Sequence, residues 1–158
     1  MNKLVAQTMA KKENGEKGFT LIELLVVVII IGILAAIAIP VFLNMRQGAW
    51  KSSVESDVSN AALAVETLST ANNGKIPTGA ALVATTGLTA GAHGFLKDGT
   101  DSGTGTAVAT ITVSAGNTVT IAVSGNTYTI KGKNENITSG DFVYTYNSAT
   151  GASTWGAS

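Results

Sequence analysis

Few residues in this chain could make or break bonds, and those few lie far apart. The 158 residues include no cysteine and one histidine, His93. A thiol nucleophile, a disulfide framework, a thiolate zinc site and a multi-histidine centre are therefore all ruled out. Asp98 and Asp101, in Lys-Asp-Gly-Thr-Asp, come nearest to a metal-ligand set. Their spacing lacks the further acids and the terminal glutamate of an EF-hand loop, so a solvated turn is the stronger reading and no metal is expected. His93, in Gly-Ala-His-Gly-Phe, has no neighbour in sequence that completes a site and reads as an exposed loop residue. Asn136-Ile137-Thr138 fits a glycosylation acceptor, a pattern too short to carry weight. With no nucleophile–base pair and no phosphate loop, the chain is not expected to be an enzyme or to hold a cofactor. Ten basic residues balance ten acidic ones, so direct nucleic-acid binding is not expected either.

One acid is chemically out of place. Glu23 stands at the head of Leu24 to Leu43, an unbroken uncharged run, LLVVVIIIGILAAIAIPVFL. At about 1.5 Å per residue the run covers roughly 30 Å as a helix, enough to cross the hydrocarbon of a bilayer. Its β-branched start could pass for a buried strand, but strands seldom exceed about ten residues. A carboxylate on such a segment costs about 2–4 kcal/mol or more unless something pairs with it. One local partner is Thr20, since Thr20-Leu21-Ile22-Glu23 has the form of a helix capping box.

The flanks set the orientation. Lys3, Lys11, Lys12 and Lys17 precede the run, and only Arg46 and Lys51 lie close on its other side. The positive-inside bias keeps the N-terminus cytoplasmic and exports the chain beyond the span. A removable secretory signal ending at Ala36-Ile37-Ala38 is the competing reading. The uninterrupted span, Glu23 and the long polar leader all argue against it.

Beyond Asn44 the helical period continues. Trp50, Val54, Val58, Ala61, Val65 and Leu68 form one apolar stripe, with Arg46, Lys51, Glu55, Asp57 and Glu66 expected on other faces. Pro40 kinks a helix without necessarily ending it, and Asn73-Gly74 followed by Pro77 supplies a stop. One helix from about Phe19 to Asn72 is predicted. Residues 75–106 are rich in Gly, Ala and Thr and read mostly as loop, with a short helical turn around Gly79 to Ala84. Period-two alternation then begins, with turns expected at Gly116-Asn117 and Gly125-Asn126. Ile111, Val113, Val119, Ile121, Val123, Tyr128 and Ile130 fall on the inward parity. A loop is expected at 132–140. Phe142, Tyr144 and Tyr146 share the next inward face, and a turn at Ser148 to Gly151 leads to a last strand near Trp155. The fold class is thus α+β, an antiparallel meander of four or five strands wrapped on the amphipathic half of the helix. Tyr128, Tyr144, Tyr146 and Trp155 read as sheet core rather than as a binding surface.

Lys17-Gly18-Phe19-Thr20-Leu21-Ile22-Glu23, a basic leader, the uncharged span and Pro40 together resemble the N-terminal signal of type IV pilins and pseudopilins. The resemblance covers roughly residues 11–70. It implies a leader at 1–18, an assembly helix at 19–43, an amphipathic helix half at 44–74 and a globular domain at 75–158. It also implies that a membrane-embedded prepilin peptidase cuts between Gly18 and Phe19 and that Phe19 is then N-methylated. Gly18 suits such a cut because it has no side chain to crowd the scissile carbonyl. Glu23 is expected to attract the N-terminal amine of a neighbouring subunit, and Gly32 to Pro40 to unwind when subunits pack. The implied product is a homo-oligomeric filament built by an assembly platform in the cytoplasmic membrane and displayed at the cell surface. A major pilin is the first reading; a pseudopilin of a secretion or DNA-uptake system is the second. Some pseudopilins bind calcium in a C-terminal loop, which would fall nearest Asp98 and Asp101. Many pilins of double-membrane bacteria carry a C-terminal disulfide, which this chain cannot form.

Overall fold

A computed structural model describes residues 18–84, 86–103, 105–138, 140 and 142–157. The leader expected at 1–18 lies outside them except for Gly18. The architecture is α+β, with one long helix, α1 (Leu21–Ala71), and five strands, β1 (Leu88–Phe95), β2 (Ala109–Ser124), β3 (Thr127–Asn134), β4 (Val143–Asn147) and β5 (Ala152–Gly156). The chain divides into two compact units at Phe42/Leu43.

The described part of the first unit is the start of α1 with the residues that lead into it. Thr20 and Glu23 form the expected capping box. The Glu23 N–H donates to Thr20 Oγ1 (3.3 Å), and Glu23 Oε2 accepts from the Thr20 N–H (2.9 Å) and hydroxyl (2.7 Å). These bonds satisfy donors that the first helical turn would otherwise leave open. Every large apolar side chain from Phe19 to Phe42 is exposed. One 18-residue window of α1 reaches a mean hydropathy of 3.3, long and apolar enough to cross a membrane.

In the second unit the remainder of α1 ends where Asn73 and Gly74 adopt left-handed backbone angles (φ 58° and 79°) and the Gly74 N–H closes onto the Ser69 carbonyl at 2.8 Å. Val54, Val58, Ala61, Val65 and Leu68 are buried, as the stripe predicted. They face the sheet, whose strands run in the order β1-β2-β3-β4-β5, all antiparallel. Register aligns Val119 with Gly132, Gly132 with Tyr144, and Tyr144 with Trp155, one row across four strands. Gly132 is where helix and sheet come closest. A Cβ there would fall 2.5 Å from Val58 Cγ2 and 2.7 Å from Val54 Cγ1, so glycine alone admits the approach. Ile111, Val113, Ile121, Tyr128 and Ile130 are buried in this core, with Val123, Tyr144 and Tyr146 packed partly against it. Phe142 departs from the expectation. It stands ahead of β4, half-buried, and lines a groove with Thr118 and Ile137 instead of joining the inward row.

Three strand expectations are corrected. Gly116-Asn117 is no turn, because β2 runs unbroken from Ala109 to Ser124. Gly116 bends the strand locally at φ +78° while Asn117 points inward to partners on α1 and β3. Residues 88–95, expected as loop, form β1, whose pairing to β2 shifts register between Thr89 and Gly91. Between Leu88 and Phe95, its buried ends, this strand shows no apolar alternation, and its stability comes from a distant partner. The loop expected from 132 starts later, since β3 continues to Asn134. The turn at Gly125-Asn126 is present, as are the turn at 148–151 and the last strand. Around Gly79 the backbone makes one helical turn, with the Leu82 and Val83 N–H groups donating to the Gly79 carbonyl.

Candidate functional site

The residues singled out at the N-terminus belong to one exposed segment. Phe19 is 85% exposed, and a side chain at Gly18 would meet nothing within 4 Å. Glu23 is exposed and held on the helix end by Thr20. Gly32 is likewise open, and Pro40 sits inside α1 without interrupting it. From Leu21 to Leu43 the segment offers an apolar surface on all sides, with Leu21 81% and Ile37 65% exposed. Water opposes that exposure by about 25 cal/mol for each Å² of apolar surface, so lipid or another apolar helix must cover it.

Asp98 and Asp101 are both taken up in hydrogen bonds to their own loop. Asp98 Oδ1 accepts from the Thr100 hydroxyl (2.6 Å) and N–H (3.0 Å), and Asp101 Oδ1 accepts from the Gly103 N–H (2.9 Å). These are turn bonds within the loop. The Thr100 hydroxyl and amide hold the Asp98 carboxyl below its usual range. Among the described residues no three histidine, aspartate or glutamate side chains gather as metal ligands. His93 is not in a loop. It lies in β1, half-buried opposite Ile111, with Nε2 2.7 Å from the Thr89 carbonyl oxygen. Asn136 is exposed, and its side-chain amide already donates to Asn134 Oδ1.

The aromatic residues lock the sheet to α1. Tyr128 donates its hydroxyl to Glu66 Oε1 (2.7 Å), and Trp155 Nε1 donates to Glu55 Oε1 (2.7 Å). Burial and the Glu66 carboxylate together push the Tyr128 phenol above its ordinary value. Tyr144 and Trp155 rings lie 5.1 Å apart, Tyr128 and Tyr146 rings 5.9 Å apart.

Sequence reasoning missed Asp57. Expected on a solvated face, it is 4% exposed beneath the sheet. Its carboxylate accepts from the Ser114 N–H (2.8 Å), the Ser114 hydroxyl (2.9 Å) and Asn117 Nδ2 (2.7 Å). Asn117 Oδ1 in turn accepts from Asn134 Nδ2 at 2.6 Å. Two signals point to it. Asp57 falls three residues after Val54 and four before Ala61, on the edge of the apolar stripe, and Asn117 keeps the inward parity of Ile111 to Val123.

Residues 14–39 match the family described as the prokaryotic N-terminal methylation motif. Over 52 residues the chain is 54% identical to the type IV major fimbrial protein FimA of Dichelobacter nodosus, covering 33% of each chain. It is 43% identical over 53 residues to the type IV major alpha-pilin of Moraxella bovis, covering 34% of this chain and 33% of that one. To the type IV narrow pilus major component PilA5 of Thermus thermophilus it is 52% identical over 40 residues, 25% of this chain and 34% of the relative. The chain spans about a third of the length of the curated relatives it matches. No solved structure matches it.

Proposed function

We propose that this chain, whose N-terminal third carries the signature of type IV pilins, is a structural subunit, a major pilin, that polymerises into a type IV pilus. The observation that carries the reading is the exposed, uncharged surface from Leu24 to Leu43 with Glu23 at its head, overlapping the matched motif. A peptidase at the cytoplasmic face removes the leader after Gly18, and Phe19 is N-methylated. The apolar segment first sits in the cytoplasmic membrane, N-terminus inside. It then exchanges lipid for the same segment of neighbouring copies as the assembly platform draws subunits into an extracellular filament. The matched relatives are named as major pilins and fimbrial proteins, which favours a pilus over a pseudopilin.

Glu23 has a second task in the filament. In the single subunit Thr20 occupies its carboxylate. During assembly the carboxylate takes the cationic amine of an adjacent Phe19, because two charges in a low-dielectric core are each better paired than apart. The test is Glu23→Gln, since glutamine keeps the capping geometry and loses only the charge. The variant should be cleaved after Gly18 and stay membrane-bound, with filament yield down by about tenfold or more, as a loss of roughly 2 kcal/mol requires. Mass spectrometry of sheared surface material should show wild-type chains beginning at methylated Phe19. Wild-type filament yield from Glu23→Gln would refute the pairing.

A further inference from the structure

The sheet has two outer strands, β1 and β5, and their free edges differ. An outer strand turns the N–H and C=O of alternate residues away from its neighbour, where another extended chain can pair with them. On β1 that edge is closed. Its pairing shifts register between Thr89 and Gly91, His93 Nε2 takes the Thr89 carbonyl at 2.7 Å, and the Gly94 carbonyl accepts from the Ser102 N–H at 3.0 Å. Phe95 pairs with Ala109 on one side and bridges to Asp101 on the other. On β5, Ala-Ser-Thr-Trp-Gly, the edge stands open. The strand carries no charge and no proline, Ala152, Ser153 and Thr154 are exposed, and among the described residues only β4 pairs with it. Of its backbone groups only the Ala152 N–H turns elsewhere, to Thr150 Oγ1 at 3.3 Å. A Cβ at Gly156 would meet nothing within 4 Å. The charges beside Trp155, Lys51 over its ring at 4.9 Å and Glu55 on its indole N–H, are opposite in sign.

We infer that β5 of a second copy pairs with this β5, antiparallel about a two-fold axis, and that the pair ties neighbouring filaments together side by side. The inference rests on the proposed polymerisation into a pilus. Because β1 is closed, the open edge of one copy finds its match only in the open edge of another. An axis through Thr154 sets Ser153 of one copy against Trp155 of the other, on the side of the sheet that faces Tyr144 and Tyr146. A small side chain then stands opposite a large one, and the uncharged strand puts no like charges across the axis. Lys51 and Glu55 beside it bring both signs together. A two-fold contact is isologous and closes at two copies, whereas subunits along one filament repeat heterologously, so the pair joins subunits of two filaments. Five residues are too few to hold two free copies together against the cost of association, so isolated subunits stay single. Repeated along two filaments, the same weak contact adds through multivalency.

The chain has no cysteine, so Thr154→Cys introduces a single thiol that faces its own counterpart across the axis. Surface filaments of that variant, treated with a short bis-maleimide, should yield dimers of this chain. Ala92→Cys, exposed on the closed edge of β1, should yield none. Thr154→Lys sets two like charges opposite each other. Its filaments should stay dispersed where wild-type filaments sediment together at low speed, with filament yield and the circular dichroism of the detergent-solubilised protein unchanged. Wild-type protein that forms no filaments overturns the pilus reading and the pairing together. Wild-type filaments that form but never associate overturn the pairing alone, as do Thr154→Lys filaments that still associate. Equal dimer yields from the two cysteine variants overturn it as well. Cross-links from Thr154→Cys to a different protein, without dimers, would give the edge to a foreign strand and overturn the second copy.

Discussion

Asp57 is a buried carboxylate held by neutral donors, two on Ser114 and one on Asn117. Removing the acceptor leaves those donors dry and unpaired, which costs about 1–3 kcal/mol for each group that cannot find water. Asp57→Ala should therefore lower stability by about 3 kcal/mol, read as a shift in the urea midpoint of detergent-solubilised protein; an unchanged midpoint would mean that water replaces the acid. Tyr128 supplies a pH dependence. Burial and the Glu66 carboxylate raise its phenol pKa above the unfolded value of about 10. A raised value means that the folded state favours the protonated phenol. Its stabilisation is therefore whole below about pH 10 and is lost as pH climbs towards the folded-state value. Ultraviolet titration of phenolate should show one late-titrating tyrosine, and Glu66→Gln should bring it back towards about 10. Local spacing hints at the burial of Asp57 and Tyr128 but not at their partners, which lie about 60 residues away.

At the scale of elements, α1 was legible almost to its ends because hydropathy, period and caps agree from Thr20 to Gly74. Its weak point is also local. Pro40 offers no N–H to the Ala36 carbonyl, and Gly32 has the least backbone preference for helix. If packing in a filament unwinds this stretch, amides from Gly32 to Ile39 should exchange deuterium faster in filaments than amides from Ser56 to Leu68; equal protection would remove the unwinding. The strands were less legible. Gly-Asn pairs mark hairpins by propensity, and Gly125-Asn126 behaves accordingly. Gly116-Asn117 has the same composition, but the inward Asn117 gains Ser53, Asp57 and Asn134, which hold β2 extended. Tertiary hydrogen bonds outweigh a turn preference of about 1 kcal/mol.

At the scale of the whole chain, exposed apolar side chains concentrate between Phe19 and Met45, while the second unit has a core of its own. A fragment spanning residues 44–158 should accordingly remain dissolved and monomeric in detergent-free buffer by analytical sedimentation, whereas the full chain should require detergent; aggregation of the fragment would show that its core depends on the preceding residues. The membrane-length segment, the capping box, the N-terminal methylation motif and the α+β class were readable from the sequence by itself. Each depends on residues within a few turns of one another, where hydropathy and spacing act directly. Only the tertiary structure decided that β1 exists, that two expected strands are one, that Asp57 is buried, and that Trp155 comes to rest beside Lys51. Those outcomes depend on which distant segment completes a hydrogen bond or covers a ring, and no local pattern encodes that choice.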